Sequence, residues 1–245
     1  MGISILDLTS GERFGIDDEH DFPSASTIKV QVAVALARAF DEGRLHPDDK
    51  RRAPKEIRLE GSGVVNWLSP DLELTLRDHA WLMLAVSDNS TSNVCIEAVG
   101  IDAVNRAGSE IGVGATRLGR RFMGSDAPPG PSKNRATASG LVAVLAAIEE
   151  DRAASPAQCA WLRQCLSDQQ HVDRLPRHLP EGVTYRGKTG TITKIAHDCG
   201  VLTGPKGSIA VAVLTEGFEN PYDADRFIGR IGTAVAGMLV EKVPS

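Results

Sequence analysis

Apolar residues recur at two different periods along this chain. Near the N-terminus, Ile3–Leu8 is rich in β-branched residues and ends at the turn signal Thr9-Ser10-Gly11. Glu12–Ile16 follows directly, and this arrangement predicts a β-hairpin. Further strand-like stretches occur toward the C-terminus at Val183–Lys188, His197–Leu202 and Ser208–Glu216. Both ends of the chain are therefore predicted to supply β-strands.

Helical periodicity dominates the middle of the chain. The segment from Ser26 to about Glu42 is apolar nearly all round, which predicts a buried helix that ends at Gly43. Thr75 has Asp78 three residues later, the spacing of an N-terminal capping pair. Further helices are predicted at His79–Val86, Ser90–Val99, Asp102–Ile111, Thr137–Asp151, from Ser155-Pro156 onward, and at Tyr222–Val240.

The order of these elements predicts an α/β (α+β) fold. One antiparallel sheet is built from both chain ends and packed by helices, and a helical insertion lies between them. We expect a single domain over residues 1–245, with a sheet part at about 1–44 and 183–245. The helical part is expected to span about 45–182, and a site is expected between the two parts.

Composition and charge narrow the classes of function. Of the 245 residues, 42% are hydrophobic and 24% are charged, and the net charge is -5. No basic run interleaves with aromatic residues, so a nucleic-acid partner is not expected. No apolar stretch reaches the roughly 18 residues of a membrane span. Because no signal peptide is visible, we expect a cytoplasmic protein if the chain is full length, and otherwise the mature fragment of a secreted one.

The four cysteines show no spacing typical of a metal site or a local disulfide. They are Cys95, Cys159, Cys165 and Cys199, and none forms a C-x-x-C pair. We expect free buried thiols. Nothing in the sequence indicates a metal or a cofactor, and the oligomeric state is left open.

The first candidate chemical motif is Ser26-Thr27-Ile28-Lys29, at the start of the predicted buried helix. Residues three apart lie on one helix face, so the Ser26 hydroxyl and the Lys29 amine can meet. A serine hydroxyl becomes nucleophilic when a base takes its proton, and a lysine serves as that base when burial lowers its pKa. The alternative interpretation is a helix cap followed by a surface lysine.

The second motif is Ser87-Asp88-Asn89, between two predicted helices. A second serine can relay a proton to a leaving group, and an asparagine amide can both donate to and accept from a substrate. Taken alone, the same three residue types also suit plain helix capping.

The third motif is Lys188-Thr189-Gly190, on a predicted strand. Lys188 offers a positive charge and Thr189 a hydroxyl to a substrate carboxylate, and Gly190 permits another backbone to approach closely. The alternative is a strand that ends in a turn.

Together, in this order, the three motifs resemble those of the class A β-lactamases and related penicillin-binding proteins. The segments FPSASTIKV, LTLRDHAWLMLAVSDNSTSN, YRGKTGTIT and HDCGVL are also similar to those of the family. The resemblance covers nearly the whole chain. It implies catalytic roles for Ser26 as nucleophile, Lys29 as its activating partner and Ser87 as proton shuttle. It further implies substrate binding by Asn89, Lys188, Thr189, Gly190 and Thr191, with the backbone N–H groups of Ser26 and Thr191 as the oxyanion hole.

The sequence departs from the family in the loop after Arg117-Leu118. Class A enzymes carry a glutamate there that activates the deacylating water, and this chain has Phe122 or Met123 at about that position. Asp126 is the only carboxylate in the loop and is a candidate for the role, with a solvated loop residue as the alternative. The strand after K-T-G contains Ile195-Ala196-His197-Asp198 and no arginine. His197-Asp198 is predicted either to end a strand or to form a polar pair near the site.

We therefore predict a serine hydrolase that forms an acyl-enzyme at Ser26 on amide or ester substrates. The expected partner is a small molecule or peptide that bears a carboxylate. Efficient release of a β-lactam acyl group needs a placed general base, so weak or no β-lactam turnover is expected, as in a D-peptidase or esterase. The alternatives are a functional β-lactamase with a displaced base and a non-catalytic ligand-binding member of the fold.

Overall fold

The computed structural model describes residues 1–123 and 134–240. A five-stranded antiparallel sheet has the order β2-β1-β9-β8-β7, so both chain ends contribute, as predicted. The strands are β1 Gly2–Asp7, β2 Arg13–Ile16, β3 Phe22–Pro23, β4 Lys50–Arg52, β5 Glu73–Thr75, β6 Arg135–Ala136, β7 Thr184–Ile192, β8 Ile195–Gly204 and β9 Gly207–Glu216. The pairs β3-β6 and β4-β5 form two small sheets. The sequence pattern did not predict them, because strands of two or three residues are too short to show an alternation of apolar and polar positions.

Seven α-helices occur in the described part of the chain. They are α1 Lys29–Asp41, α2 Leu76–Ala85, α3 Asn89–Val99, α4 Ile101–Ile111, α5 Ala138–Glu149, α6 Pro156–Ser167 and α7 Pro221–Ala236. Thr75 and Asp78 form the expected capping box, and Ser155 caps α6 with Pro156 in its first turn. The segment between β4 and β5 contains two short 3-10 helices at Lys55–Ile57 and Val65–Trp67.

The prediction that the first helix begins at Ser26 is wrong. Residues 25–28 form a turn, in which Thr27 N donates to Ser24 O over 3.1 Å and Lys29 N donates to Ser26 O over 3.2 Å. Ala25 adopts a left-handed φ of 46°. The chain therefore reverses sharply before α1, and Ser26 lies in that reversal.

Strand β9 has apolar residues on both faces because the sheet is covered on both sides. Ala210, Ala212 and Leu214 join the core formed with the helical part, which contains α1 and α5. Ile209, Val211 and Val213 join a second core beneath α7. Successive residues of a strand point to opposite faces of the sheet, so an unbroken apolar run is buried on both faces.

The site lies where the sheet and the helical part meet. Strand β3 pairs with β6, with Phe22 opposite Ala136, and this joins the segment before Ser26 to the chain that leads into α5. All four cysteines are free and buried, as expected. In residues 1–123 and 134–240, no helix has the length and apolar character to cross a membrane.

Candidate active site

Ser26 is held in the turn before α1 and faces a cleft. The edge strand β7 approaches this turn closely, because a Cβ on Gly190 would lie 3.0 Å from Ala25 Cβ and 3.1 Å from Ser26 N. Any side chain at position 190 would push the strand away from Ser26. This is the close backbone approach that the K-T-G motif predicted, and it explains the glycine.

Lys29, in the first turn of α1, is fully buried and forms three hydrogen bonds across the helical part. Its Nζ donates to Ser87 O over 2.7 Å, to Asn89 Oδ1 over 2.8 Å and to Ser87 Oγ over 3.2 Å. Burial holds the pKa of Lys29 well below its ordinary value, and Lys188 lowers it further while Asp88 opposes the shift. A neutral Lys29 has two N–H donors and a lone pair, so the Ser87 hydroxyl can then donate to Nζ.

Residues Ser87–Asn89 connect α2 to α3 through a strained backbone. Ser87 has a φ of 58°, a left-handed conformation that is uncommon outside glycine and costs about 1–3 kcal/mol. This conformation places both the carbonyl and the hydroxyl of Ser87 on Lys29. The strained backbone at Ser87 thus accompanies its two hydrogen bonds with Lys29.

Asp88, the middle residue of the second motif, organises one wall of the cleft. One carboxylate oxygen caps α3 by accepting from Thr91 N over 2.9 Å. The other accepts from Val64 N over 2.7 Å and from Val65 N over 2.9 Å. A Cβ on Gly63 would lie 2.2 Å from that oxygen. Gly63 is therefore packed directly against Asp88.

Lys188 and Thr189 lie on β7 beside the turn of Ser26. Burial lowers the pKa of the Lys188 ammonium to about 8, and its Nζ donates to Thr189 O over 2.9 Å. The Thr189 N–H and hydroxyl both donate to Gln169 Oε1, over 2.8 Å and 3.1 Å. Because K-T-G lies inside a nine-residue strand, its interpretation as the end of a strand is wrong.

The strand after K-T-G holds no arginine, as the sequence indicated, but Arg174 from a segment before K-T-G lies at the site. Arg174 is 8% exposed, and its guanidinium donates to Thr191 Oγ1, to Gly190 O and to His197 O over 2.7, 2.9 and 2.7 Å. Its Nε is paired with Asp225 at 2.7 Å. Arg174 precedes K-T-G in a segment without a motif, so only the fold brings it to the cleft.

A cleft of about 100 Å³ is bordered by Ser26, Ser87 and Arg174. It is lined by Ser26, Ser62, Ser87, His171, Asp173, Arg174, Thr189, Thr191 and Asp225. Most of the lining is polar. It includes the Arg174 guanidinium, which is paired with Asp225, and the carboxylate of Asp173, and the Lys188 ammonium is buried nearby.

Phe122 covers part of the Lys29 amine. Its ring centroid is 4.5 Å from Lys29 Nζ. The Asn93 side chain holds its backbone, accepting from Phe122 N over 2.8 Å and donating to Phe122 O over 3.0 Å. Of the two residues that the sequence indicated for the glutamate position, Phe122 therefore faces the site and Met123 is 43% exposed. Asp126 lies outside the described residues.

Comparison with known protein families shows which family has this arrangement of motifs. A family model described as "Beta-lactamase enzyme family" matches residues 1–239. The chain belongs to this family.

Relatives of this β-lactamase-family chain span almost its whole length. The crystal structure of a β-lactamase from Sphaerobacter thermophilus has a TM-score of 0.92 and 34% identity, covering 98% of this chain and 92% of that one. A "Beta-lactamase regulatory protein BlaB" from Streptomyces cacaoi is 25% identical over 285 residues, covering 98% and 91% of the two chains. The structure of PBP-A shares the fold, with a TM-score of 0.87 at 24% identity over 97% and 88%.

His197 and Asp198 lie inside β8 in this β-lactamase-family chain, so neither ends a strand. His197 Nε2 lies 2.9 Å from Pro23 O, and burial lowers the pKa of His197 to about 4. Asp198 accepts from Tyr185 OH over 2.6 Å and from Leu175 N over 3.0 Å, and burial raises its pKa to about 6. The two side chains have different partners and form no pair with each other, and the Leu175 bond helps to hold the Arg174 segment against the sheet.

Proposed function

We propose that the protein is a serine hydrolase that forms an acyl-enzyme at Ser26 on amide or ester substrates bearing a carboxylate, with weak or no β-lactam turnover. The observation that carries this proposal is the environment of Lys29. Its amine is buried, hydrogen-bonded to the Ser87 hydroxyl on one side and covered by the Phe122 ring on another.

Acylation uses the polar side of this environment. The lowered pKa makes neutral Lys29 accessible, so its lone pair takes the proton of Ser26 as the hydroxyl attacks the substrate carbonyl. The backbone N–H groups of Ser26 and Thr191 receive the oxyanion. Ser87, which contacts the same amine at 3.2 Å, passes the proton to the leaving group.

Carboxylate binding uses the positive groups next to Thr189. Lys188 supplies a buried charge, Thr189 a hydroxyl, and Arg174 a guanidinium held in place by Asp225. Desolvated, hydrogen-bonded charges bind a carboxylate more strongly than solvated ones. Asn89 contributes an amide to the substrate backbone, as the family resemblance implies.

Deacylation has no general base at Phe122. An aromatic ring offers a water neither a hydrogen-bond acceptor of ordinary strength nor a proton acceptor, so the acyl group leaves slowly. This supports a D-peptidase or esterase type of activity over fast β-lactam resistance.

Two other functions have specific support. The 34% identity to a β-lactamase favours β-lactam hydrolysis with a displaced base. The similarity over 98% of the chain to a protein named as a β-lactamase regulatory protein favours a ligand-binding member.

Intact mass and turnover measured together distinguish these functions. The protein is incubated with a labelled penicillin, a chromogenic cephalosporin and an activated ester that bears a carboxylate. We expect a covalent adduct that persists, that Ser26→Ala abolishes, and that Ser62→Ala, a matched serine of the same cleft, retains. Rapid cephalosporin turnover would identify a β-lactamase. Failure to form any adduct with all three compounds would identify a binder.

A further inference from the structure

A second concavity of about 450 Å³, here called the hairpin groove, adjoins the cleft. It lies between the β7-β8 turn and the start of α7. Its apolar lining comes from Ile192, Ile195, Ala196, Phe218, Pro221 and Ala224. Ile192 is 46% exposed despite its apolar side chain. The Phe218 ring is supported by Phe227 at a centroid distance of 6.1 Å, which gives the groove a firm aromatic wall.

The hairpin groove and the cleft share part of their lining. Thr191 lines both, and the neighbouring residues Ala224 and Asp225 of α7 line the groove and the cleft respectively. The Lys194–Glu219 ion pair, 2.6 Å long and exposed, lies at the groove. An apolar concavity beside a polar cleft is typical of a site that binds a ligand with a polar and an apolar part.

The direction of β7 identifies which part of a substrate reaches the groove. The proposed carboxylate group lies at Thr189, and the proposed oxyanion donor is Thr191 N, two residues farther along the strand. A strand rises about 3.3 Å per residue, so a substrate that runs along β7 continues past Thr191 toward Ile192. That continuation is the acyl portion, on the far side of the scissile carbonyl from the carboxylate.

We propose that the hairpin groove binds an apolar acyl substituent of the substrate, so that the enzyme prefers medium-length acyl chains. This inference rests on the proposed function, because it assumes acyl transfer to Ser26. Burial of each methylene in a closed apolar site raises binding by up to about fourfold. A groove that is open to solvent on one side gives less than this maximum.

A series of S-acyl thioglycolates, with acyl chains of two to ten carbons, tests the inference. In each, Ser26 Oγ attacks the thioester carbonyl, the C–S bond breaks, and thioglycolate leaves with the proton that Lys29 took from Ser26. Water then releases the fatty acid. The loss of thioester absorbance gives kcat/KM, which reports acylation even where deacylation is slow. We expect kcat/KM to rise about two- to fourfold per methylene until the groove is filled.

Ile192→Asp places a charge in the groove at a half-exposed position. We expect it to flatten the dependence on chain length and to leave the rate with the acetyl compound within about twofold. Ile16→Asp is the matched control, since Ile16 is 39% exposed on β2, at the opposite edge of the sheet. It should retain the full dependence.

The outcomes separate acyl binding in the hairpin groove from acyl transfer to Ser26, on which it rests. If the acetyl compound reacts at Ser26 but longer chains react no faster, the groove does not bind the acyl substituent and the inference is overturned. If light scattering instead shows that Ile192→Asp dissociates an oligomer without altering the chain-length dependence, the groove is a contact between copies of the chain. If no thioester acylates Ser26 at all, the proposed function itself fails.

Discussion

The two sides of the Lys29 amine are built from different kinds of groups. On one side, Ser87 and Asn89 supply three oxygen atoms within 3.2 Å, all from a single strained connection between α2 and α3. On the other side, Phe122 presents the face of a ring at 4.5 Å. In the proposed cycle the polar side moves protons, whereas the ring offers no group that could accept one.

This difference divides the proposed cycle by structural element. Acylation depends on the turn at Ser26, on α1, on the α2-α3 connection and on β7, all of which carry recognisable motifs. Deacylation depends on the segment near Phe122, whose backbone is fixed by Asn93 but whose side chain is apolar. The proposed cycle therefore has its groups for acylation in place, and Phe122 is the residue proposed to limit deacylation.

The largest expected effect comes from removing the base on the polar side. Lys29→Met keeps the length of the side chain and removes the amine, so acylation by a penicillin should slow by about 10²–10⁴-fold. Stopped mixing followed by intact mass measures the rate. Lys206→Met, an exposed lysine, is the matched control and should acylate normally. An unchanged rate in Lys29→Met would show that another group takes the Ser26 proton.

Placing a carboxylate on the apolar side of Lys29 should accelerate deacylation. Phe122→Glu keeps the backbone that Asn93 holds, so the new carboxylate points toward Lys29 and can activate a water. We expect the acyl-enzyme to decay about 10²-fold faster or more, within the usual range for a general base. The adduct lifetime by intact mass is the measurement, and Met123→Glu is the control. A lifetime that Phe122→Glu leaves unchanged would mean that the ring does not limit deacylation.

Replacing Arg174 tests whether the cleft selects substrates that carry a carboxylate. Arg174→Met removes a guanidinium whose charged hydrogen bond to a carboxylate is worth about 1.5–3 kcal/mol, so kcat/KM should fall about 10–150-fold. The fall should occur for an ester with a free carboxylate and not for its methyl ester. Arg177→Met, exposed and nearby, should behave as wild type. Equal losses on both esters would assign Arg174 a purely structural role.

The pH dependence of carboxylate binding should give the smallest effect. The pKa of Lys188 is about 8, so its ammonium is charged below that pH and neutral above it. KM for a carboxylate-bearing ester should therefore rise as the pH increases through 8, up to about tenfold by pH 9. The methyl ester should show no such rise, and Lys188→Arg should abolish the rise for the carboxylate-bearing ester. A KM that stays flat through pH 9 would contradict a role for the Lys188 charge.

Much of the fold and of the site could be predicted from residue order alone. The capping box at Thr75 and the proline-led start of α6 depend on neighbours within four residues, and both were confirmed. The three motifs and the buried character of α1 likewise follow from local pattern, because each needs only short spacings. The order of the elements also predicted one sheet built from both chain ends, because the strand patterns were found at the two ends and the helical patterns between them.

Contacts between distant residues needed the folded chain. Lys29 meets Ser87 and Asn89 across about 60 positions, and no period in the sequence encodes that meeting. The choice between Phe122 and Met123 depended on which side chain the Asn93 bonds turn inward. Arg174 is held at the cleft by its own bonds to β7, β8 and α7 and by the neighbouring Leu175 N, which donates to Asp198 on β8. Side-chain direction at a site is fixed by packing and by long-range hydrogen bonds, so only the tertiary structure could decide these three points.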